Sequence, residues 1–395
     1  MHALTNGLVL RDTGFAEGLT VLVDGTRIVA VVSDDDPRIA QAQEHDLGGH
    51  LLLPGFIDTQ VNGGGGQLFN DSPTVETIRA IGAAHRPFGT TGFLPTLISD
   101  DLEIIERALA AVSQAIEQRV PGVLGIHIEG PFLSPERKGA HDVAKLRRLD
   151  SEAVKLLSTH IGGRTLVTLA PELTTPSFVR ELTEAGVIVA AGHTNASFAQ
   201  VRAALDVGLR GFTHLFNAMS PLGAREPGVV GAALDDVASF CGIIVDGIHV
   251  DPVVLRIALR SRPHDRFVLV TDAMPNIGTD LTEFRLAGKR VEVRDDRLLD
   301  ETGTLAGANL TMARAVANAV DMLDLDLRRA VRMASTQPAA YLKLERVLGR
   351  IEAGYLANFV LADEKLAVIE TWIDGERMSH RPLVPAREFE RATPS

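Results

Sequence analysis

Val123–Glu129 reads VLGIHIE, an apolar run that ends in a carboxylate and is followed at once by Gly130-Pro131. Three further runs end in polar groups. Val187–His193 (VIVAAGH) and Gly211–His214 (GFTH) end in imidazoles, and Phe267–Asp272 (FVLVTD) ends in a second carboxylate. Short apolar runs bounded by Gly and Pro are strand signals. In a parallel α/β barrel the C-terminal ends of the strands converge on one face, where the active site lies. One carboxylate and two imidazoles there form an N/O donor set suited to a zinc- or iron-like divalent ion. Asp272 would then face the water that such an ion activates. A polar residue where a strand meets a loop is ordinary when it occurs singly. Four of them on four strand ends favour a site.

Working outward, eight candidate strands alternate with helical periodicity: Phe56–Gln60, Gly92–Pro95, Val123–Glu129, Leu166–Ala170, Val187–His193, Gly211–His214, Gly242–Asp246 and Phe267–Asp272. Alternation of this kind means a parallel sheet, and eight is the number that closes a (β/α)8 barrel. A doubly wound open sheet is the alternative, but ligand residues on separate strand ends favour the barrel. Leu102, Ile105, Leu109, Val112 and Ile116 form a helical stripe, with Ser99 and Asp100 as cap candidates. Ser72-Pro73 reads as another helix start, with Pro at the first helical position. Near the N-terminus, Leu19–Val23, Asp24-Gly25 and Ile28–Val32 spell a hairpin, and the stretch Phe359–Leu361, Val368–Ile373, Asp374-Gly375 reads alike. The expected organisation is therefore a small β-sandwich domain from both chain ends, 1–53 with 345–395, flanking a barrel domain over 54–344.

Of 395 residues, 45% are hydrophobic and 23% charged, as in an ordinary globular protein with a large core. The net charge of −12 argues against nucleic acid as a partner, since phosphate neutralisation needs clustered cations. The single cysteine, Cys241, lies in the apolar run CGIIVD and rules out an intrachain disulfide, which points to a reducing compartment and a core role for the thiol. No uninterrupted apolar stretch reaches membrane-spanning length, and the first residues do not read as a signal peptide. A soluble cytoplasmic protein with no membrane partner is expected.

The first strand, Pro54-Gly55-Phe56-Ile57-Asp58, resembles that of the amidohydrolase superfamily, which usually continues into His-x-His. This chain has Gln60-x-Asn62. The departure removes two ligands of a second metal, and the fourth strand (LVTLAPE) offers no lysine to bridge one. Further motifs narrow the resemblance: GIHIEGPFLSPERKGA at Gly125–Ala140 followed by His141, GHTNA at Gly192–Ala196, THLFNAM at Thr213–Met219, and REPG at Arg225–Gly228. DGIHVD at Asp246–Asp251, VTDA at Val270–Ala273 and TLAG at Thr304–Gly307 complete the set. In this order they closely resemble the N-acetylglucosamine-6-phosphate deacetylases, over nearly the whole chain, and Gln-x-Asn occurs within that family alongside one tight metal.

The resemblance implies that Glu129, His193 and His214 hold one divalent metal per chain, zinc by preference, with iron(II) or another divalent ion as the alternative. It implies Asp272 as general base and His141 as a contact to the substrate carbonyl. Gln60, Asn62, Ala140, Asn217, Ala218, Asp246, Gly247, Ile248, Leu305, Ala306 and Gly307 become substrate-binding candidates. Arg225 and His249 would hold the phosphate of a small phosphorylated amino sugar, with a neighbouring subunit contributing, so a homodimer is implied. The physics agrees. A metal polarises a poorly electrophilic amide carbonyl and lowers the pKa of water. Asp272 can take the water proton and return it to the departing amine. A remote phosphate positions the acetamido group, and Arg suits phosphate through its bidentate fork.

Other residues keep open readings. His127, on the Glu129 face of its strand, is either a partner behind the ligands or a packed core histidine. His160 and His264 read as solvated surface residues. Arg137 and Lys138 form a charged loop or a phosphate contact. Asn62 and Gly63–Gly66 form a substrate-side loop or a simple turn. Met219 and Phe216 read as packing, and Asp58 is assigned no role. The leading function is deacetylation of N-acetylglucosamine 6-phosphate in amino-sugar breakdown or recycling. The alternatives are another N-acylhexosamine phosphate such as N-acetylgalactosamine 6-phosphate, or a non-catalytic binding homologue. The intact Glu129/His193/His214/Asp272 set weighs against the last.

Overall fold

The computed structural model describes residues 1–381. Eight parallel strands form its centre: Phe56–Val61, Thr90–Ile98, Gly125–Glu129, Arg164–Leu169, Ile188–Ala191, Gly211–Phe212, Phe240–Ile243 and Phe267–Leu269. They neighbour one another in sequence order. The sheet closes on itself where the eighth strand runs out: Val61 bridges Ala273 in parallel, and Asp272 N–H donates to the Gln60 carbonyl at 3.0 Å. The barrel expectation is met, and closure excludes the open doubly wound sheet.

Asp58 lies at this seam, fully buried. Its carboxylate accepts hydrogen bonds from Thr271 Oγ1, from Thr271 N–H at 3.3 Å and from Gln60 N–H at 3.1 Å. It thus ties the first strand to the last. Burial pushes its carboxyl up to about 7 against those three bonds.

The helices between strands bury one face each. Leu102–Glu117 buries Ile105, Leu109 and Val112, as its stripe predicts. Its cap position is Asp101 rather than Ser99 or Asp100, because the second strand runs as far as Ile98 and Ser99 turns inward. The preceding helix is Val75–His85, capped by Thr74, whose hydroxyl accepts from Thr77 N–H. Pro73 therefore lies before the helix, not in its first turn.

Both chain ends build one six-stranded sheet. Strand Leu51–Pro54 pairs with Leu8–Arg11 on one side and with Phe359–Ala362 on the other. A second sheet of four strands contains the hairpin Leu19–Asp24/Arg27–Ser33. Leu4, Val21 and Ile28 of the second sheet share a core with Val9, Leu52, Phe359 and Trp372 of the first. We propose unit boundaries at 53/54 and 344/345; residues 382–395 of the C-terminal segment lie outside the described residues.

Between the eighth strand and helix Met312–Leu323 stands a four-stranded antiparallel sheet, Glu283–Leu286, Lys289–Arg294, Arg297–Asp300 and Leu305–Ala308. The eight-strand reading did not anticipate it. Leu286, Val291 and Leu298 pack on Ile98 and Met274, so the sheet sits over the C-terminal mouth of the barrel.

A candidate metal-dependent active site at the barrel mouth

Glu129 is the last residue of the third strand, while His193, His214 and Asp272 lie two or three residues beyond the fifth, sixth and eighth. The three extra-strand residues all have left-handed backbones, with φ of 47°, 34° and 52°. Non-glycine residues seldom adopt this conformation, and its recurrence at three strand ends turns each side chain back over the barrel axis.

Their atoms converge. His214 Nε2 lies 3.0 Å from Glu129 Oε1 and 3.0 Å from His193 Nε2, and His193 Nε2 lies 3.3 Å from the same carboxylate oxygen. Glu129, His193 and His214 are the group of buried side chains, among the described residues, able to hold a metal. The tautomer of His193 supports this. Its Nδ1 lies 2.8 Å from the Arg137 carbonyl, which can only accept, so the proton is on Nδ1 and the Nε2 lone pair faces the cluster. Two imidazole nitrogens and a carboxylate oxygen meeting in a buried space form a donor set that fits a divalent ion. Burial alone would raise the Glu129 carboxyl, yet the two imidazoles against it, His193 and His214, outweigh it and hold the group well below the usual range. Burial lowers His214, but its bond to Glu129 leaves it raised on balance.

Asp272 stands beside this cluster. Its Oδ1 accepts from Asn62 Nδ2 at 2.6 Å and from Gln60 Nε2 at 3.1 Å. The same Gln60 amide also reaches both oxygens of Glu129, at 3.3 and 3.2 Å. Burial, and then the charge of Glu129, push the Asp272 carboxyl up to about 6.

His141 packs edge-on against His193, with ring centroids 4.5 Å apart. Ser99 N–H lies 3.3 Å from His141 Nδ1, and a backbone N–H can only donate, so Nδ1 accepts and the proton sits on Nε2. The Ser99 hydroxyl lies 2.8 Å from the same nitrogen. Burial, then the charge of His193, push His141 down to about 3, so the ring is a neutral donor.

These groups open onto a cavity of about 380 Å³. Of the expected residues, Asn62, Glu129, Ala140, His141, His193, His214, Asn217, Ala218, His249, Asp272, Leu305 and Gly307 line it. Gln60 reaches the cluster from below through its amide. Asp246, Gly247, Ile248 and Ala306 do not line it. Asp246 instead accepts from Ile248 N–H and His249 N–H at 2.8 and 2.9 Å, and its other oxygen lies 2.6 Å from His249 Nδ1. The turn therefore aims His249. Burial would raise Asp246, but the bonds from His249 hold it below the usual range. Ala306 is buried within the roofing sheet, on strand Leu305–Ala308. Arg225 is exposed on the 220–227 loop and outside the cavity lining.

Ile98, Gly139, Ile244, Met274, Leu286, Gly303 and Thr304 also line the cavity and were not anticipated, nor was Ser99 as the partner of His141. The alternation in Lys289–Arg294, followed by Asp295-Asp296, was a hairpin signal that leads to the roofing strands. Gly307 has φ 75°, and a Cβ there would meet the Asp272 carbonyl at 2.9 Å, so only glycine lets TLAG approach the base so closely.

Among the residues left open, His127 is fully buried between Thr96 and Thr168, its Nε2 2.8 Å from Thr168 Oγ1. It packs inside the barrel behind Glu129, and burial lowers it to about 4. Gly63-Gly64 pairs with Gln67-Leu68 in a small hairpin. His264 is half-buried rather than solvated, in a short 3-10 turn. Cys241 is buried, as expected. No helix among the described residues is long and apolar enough to cross a membrane.

The amidohydrolase family model matches residues 51–378. A relative from Shewanella sp. (strain ANA-3), an N-acetylgalactosamine-6-phosphate deacetylase, is 45% identical and aligns over 85% of each chain. The crystal structure of N-acetylglucosamine-6-phosphate deacetylase from Pasteurella multocida superposes with a TM-score of 0.92 at 36% identity, covering 96% of this chain and all of that one. A mutant N-acetyl-D-glucosamine-6-phosphate deacetylase from Mycobacterium smegmatis, solved with N-acetyl-D-glucosamine-6-phosphate, superposes at 0.87 and 34%, covering 95% and 98%. The chain belongs to the amidohydrolase family, within the group of hydrolases that includes these N-acetylhexosamine-6-phosphate deacetylases.

Proposed function

We propose that the protein removes the acetyl group from N-acetylglucosamine 6-phosphate, giving glucosamine 6-phosphate and acetate in amino-sugar breakdown or recycling. The observation that carries this is the buried Glu129/His193/His214 cluster beside Asp272, at one end of a hexose-sized cavity that also holds His249. A divalent ion held by Glu129, His193 and His214, zinc by preference, would polarise the amide carbonyl and lower the pKa of water. His141 Nε2–H donates toward the carbonyl oxygen as charge develops there. Asp272 accepts the proton of the attacking water and delivers it to the departing nitrogen. Asn62 and Gln60 fix the carboxylate that does this. Ala140, Asn217, Ala218, Leu305 and Gly307 shape the sugar pocket.

His249, aimed by Asp246, receives the phosphate at the far end, with Arg225 of a neighbouring subunit supplying a guanidinium. Two features support a homodimer. Arg225 is exposed and does not line its own chain's cavity. Three residues before it in sequence, Leu222 is 61% exposed, and on helix Pro252–Ser261, just after His249, Val253 and Ile257 are 52% and 56% exposed. Val253 and Ile257, four residues apart on one helix, present an exposed apolar face of the kind that marks a contact surface. A cytoplasmic setting is part of the same proposal and is supported by the lone buried thiol.

The 45% identical relative acts by name on the galactosamine epimer, which favours a second reading in which this chain does too. Acetate release from both epimers, with and without the phosphate, tests the function. Turnover of neither phosphorylated sugar would overturn it, and a preference for one epimer assigns the substrate.

A further inference from the structure

A second cavity, about 410 Å³ in volume, lies at the opposite end of the barrel, between the chain-end sheet and helix Leu327–Ala334. Pro54, which leads into the first barrel strand, is part of its wall. It shares no lining residue with the Glu129 cavity.

Four guanidinium groups line it, from Arg11, Arg328, Arg332 and Arg350, against the carboxylates of Asp12 and Glu352. Arg350 Nη1 lies 2.6 Å from Asp12 Oδ2 and 3.9 Å from Glu352. Arg328 donates to the Asp12 carbonyl at 3.2 Å. The side chains of Arg11 and Arg332 have no hydrogen bond or ion pair among the described residues, and Arg350 Nε is buried without a partner. Arg328 and Arg332 stand four residues apart on one helix, so they face the same side. All four arginines are half-buried. A protein of net charge −12 has thus gathered an excess of cations in one concave site. Repulsion between guanidinium groups held this way costs free energy unless an anion relieves it.

We propose that this cleft is a binding site for a small organic phosphate, distinct from the substrate site. Guanidinium forks match phosphate oxygens in pairs, and the two open forks of Arg11 and Arg332, with the unpaired Nε of Arg350, suit a dianion better than a carboxylate. The cavity is larger than a bare phosphate needs, which leaves room for a sugar- or nucleoside-sized body. The ligand bridges the chain-end sheet, through Arg11, to the barrel, through Arg332, and so stabilises their junction by mass action.

The test uses the full-length metal-loaded protein carrying Arg225→Ala and His249→Ala, which disables the substrate's phosphate site. Calorimetric titration with inorganic phosphate, glucose 6-phosphate and AMP in this background reads the cleft alone. At least one organic phosphate should bind, more tightly than inorganic phosphate, and adding Arg11→Gln with Arg332→Gln should weaken it by at least about tenfold. Which of the two organic phosphates binds more tightly identifies the source. In the otherwise wild-type protein, Arg11→Gln/Arg332→Gln should leave kcat and KM for the acetylated sugar unchanged, and that result also certifies the fold. If the double variant does not fold, Arg11→Gln alone should still weaken binding by at least about threefold. Absence of binding by all three probes, preference for inorganic phosphate, or equal affinity with and without the arginines would overturn the proposal. Failure of the deacetylase reading would appear elsewhere, as no acetate release from wild type.

Discussion

Replacing Asp272 by Asn separates the geometry of the base from its basicity. The carboxylate is held by Asn62 Nδ2 and Gln60 Nε2, both on Oδ1. An asparagine oxygen can accept both bonds, so the side chain keeps its position and the NH2 group takes the place of the free oxygen. The group loses only its ability to take a proton. General base catalysis is typically worth about 10²–10⁴-fold. At about 1.36 kcal/mol per decade, this is roughly 2.7–5.4 kcal/mol of barrier. The substitution also removes a negative charge beside Glu129, the second largest influence raising Asp272, so the fold should not be weakened. We expect kcat for acetate release, followed by proton NMR, to fall by that factor, with KM and bound metal nearly unchanged. Wild-type activity should show an acid limb, falling at or below about pH 6, where burial and Glu129 hold the carboxyl before a bound cation pulls it lower. In the asparagine variant that limb should vanish from the residual rate. A variant with kcat within about tenfold of wild type and a full metal complement would refute Asp272 as base.

Four further outcomes follow from the same geometry. Protein purified without added metal should contain about one divalent ion per chain; two tightly held ions, one beside Gln60 and Asn62, would contradict the single-cluster reading. Arg225→Ala should lower kcat/KM for the phosphorylated sugar by an amount corresponding to about 2–5 kcal/mol and scarcely change the rate on the unphosphorylated one; equal losses on both would make Arg225 structural. Asp58→Ala orphans three donors in the barrel seam, each costing about 1–3 kcal/mol, so thermal denaturation should show a large loss of stability. Asp58 also makes the metal-free fold pH-dependent. Its folded value of about 7 lies above the ordinary 3.8 of an aspartate, so its contribution is fully present below about pH 4 and is lost as pH rises through about 7; the Tm difference from Asp58→Asn should track that window, and a flat difference would refute it.

The barrel was legible because each strand is a short apolar run with a punctuating end, and the chemistry-bearing residues stand at those ends. Periodicity could not show that the fifth, sixth and eighth strands stop at Ala191, Phe212 and Leu269, leaving His193, His214 and Asp272 on left-handed turns. Backbone sign at such positions depends on what the loop must reach, not on local propensity. Ser99 looked like a cap because it precedes a helix by three residues. Its pairing with His141 spans 42 residues, a contact that local pattern does not carry. The roofing sheet was within reach of period-two reading. Arg225 shows the opposite limit: its motif is plain in sequence, yet within one chain it stays exposed and outside the cavity lining.

On the proposed reading of one ion per chain, the amide pair Gln60 and Asn62 takes the place a second ion would otherwise fill. Two carboxylates, Glu129 and Asp272, are buried within reach of one Gln60 amide group, and buried like charges at such range repel strongly. A second metal would be one way to neutralise them. Here the Gln60 NH2 contacts Glu129 at 3.2 Å and Asp272 at 3.1 Å, and Asn62 adds a further donor to Asp272. Neutral N–H donors thus stand between the acids. They offset part of the repulsion without supplying a full positive charge, and that difference has a functional side. A cation in that place would lower the Asp272 carboxyl and weaken it as a base, whereas amide donors leave it raised by burial. The loss of two imidazoles from the first strand and the retention of a usable base at Asp272 are, on this view, one physical choice.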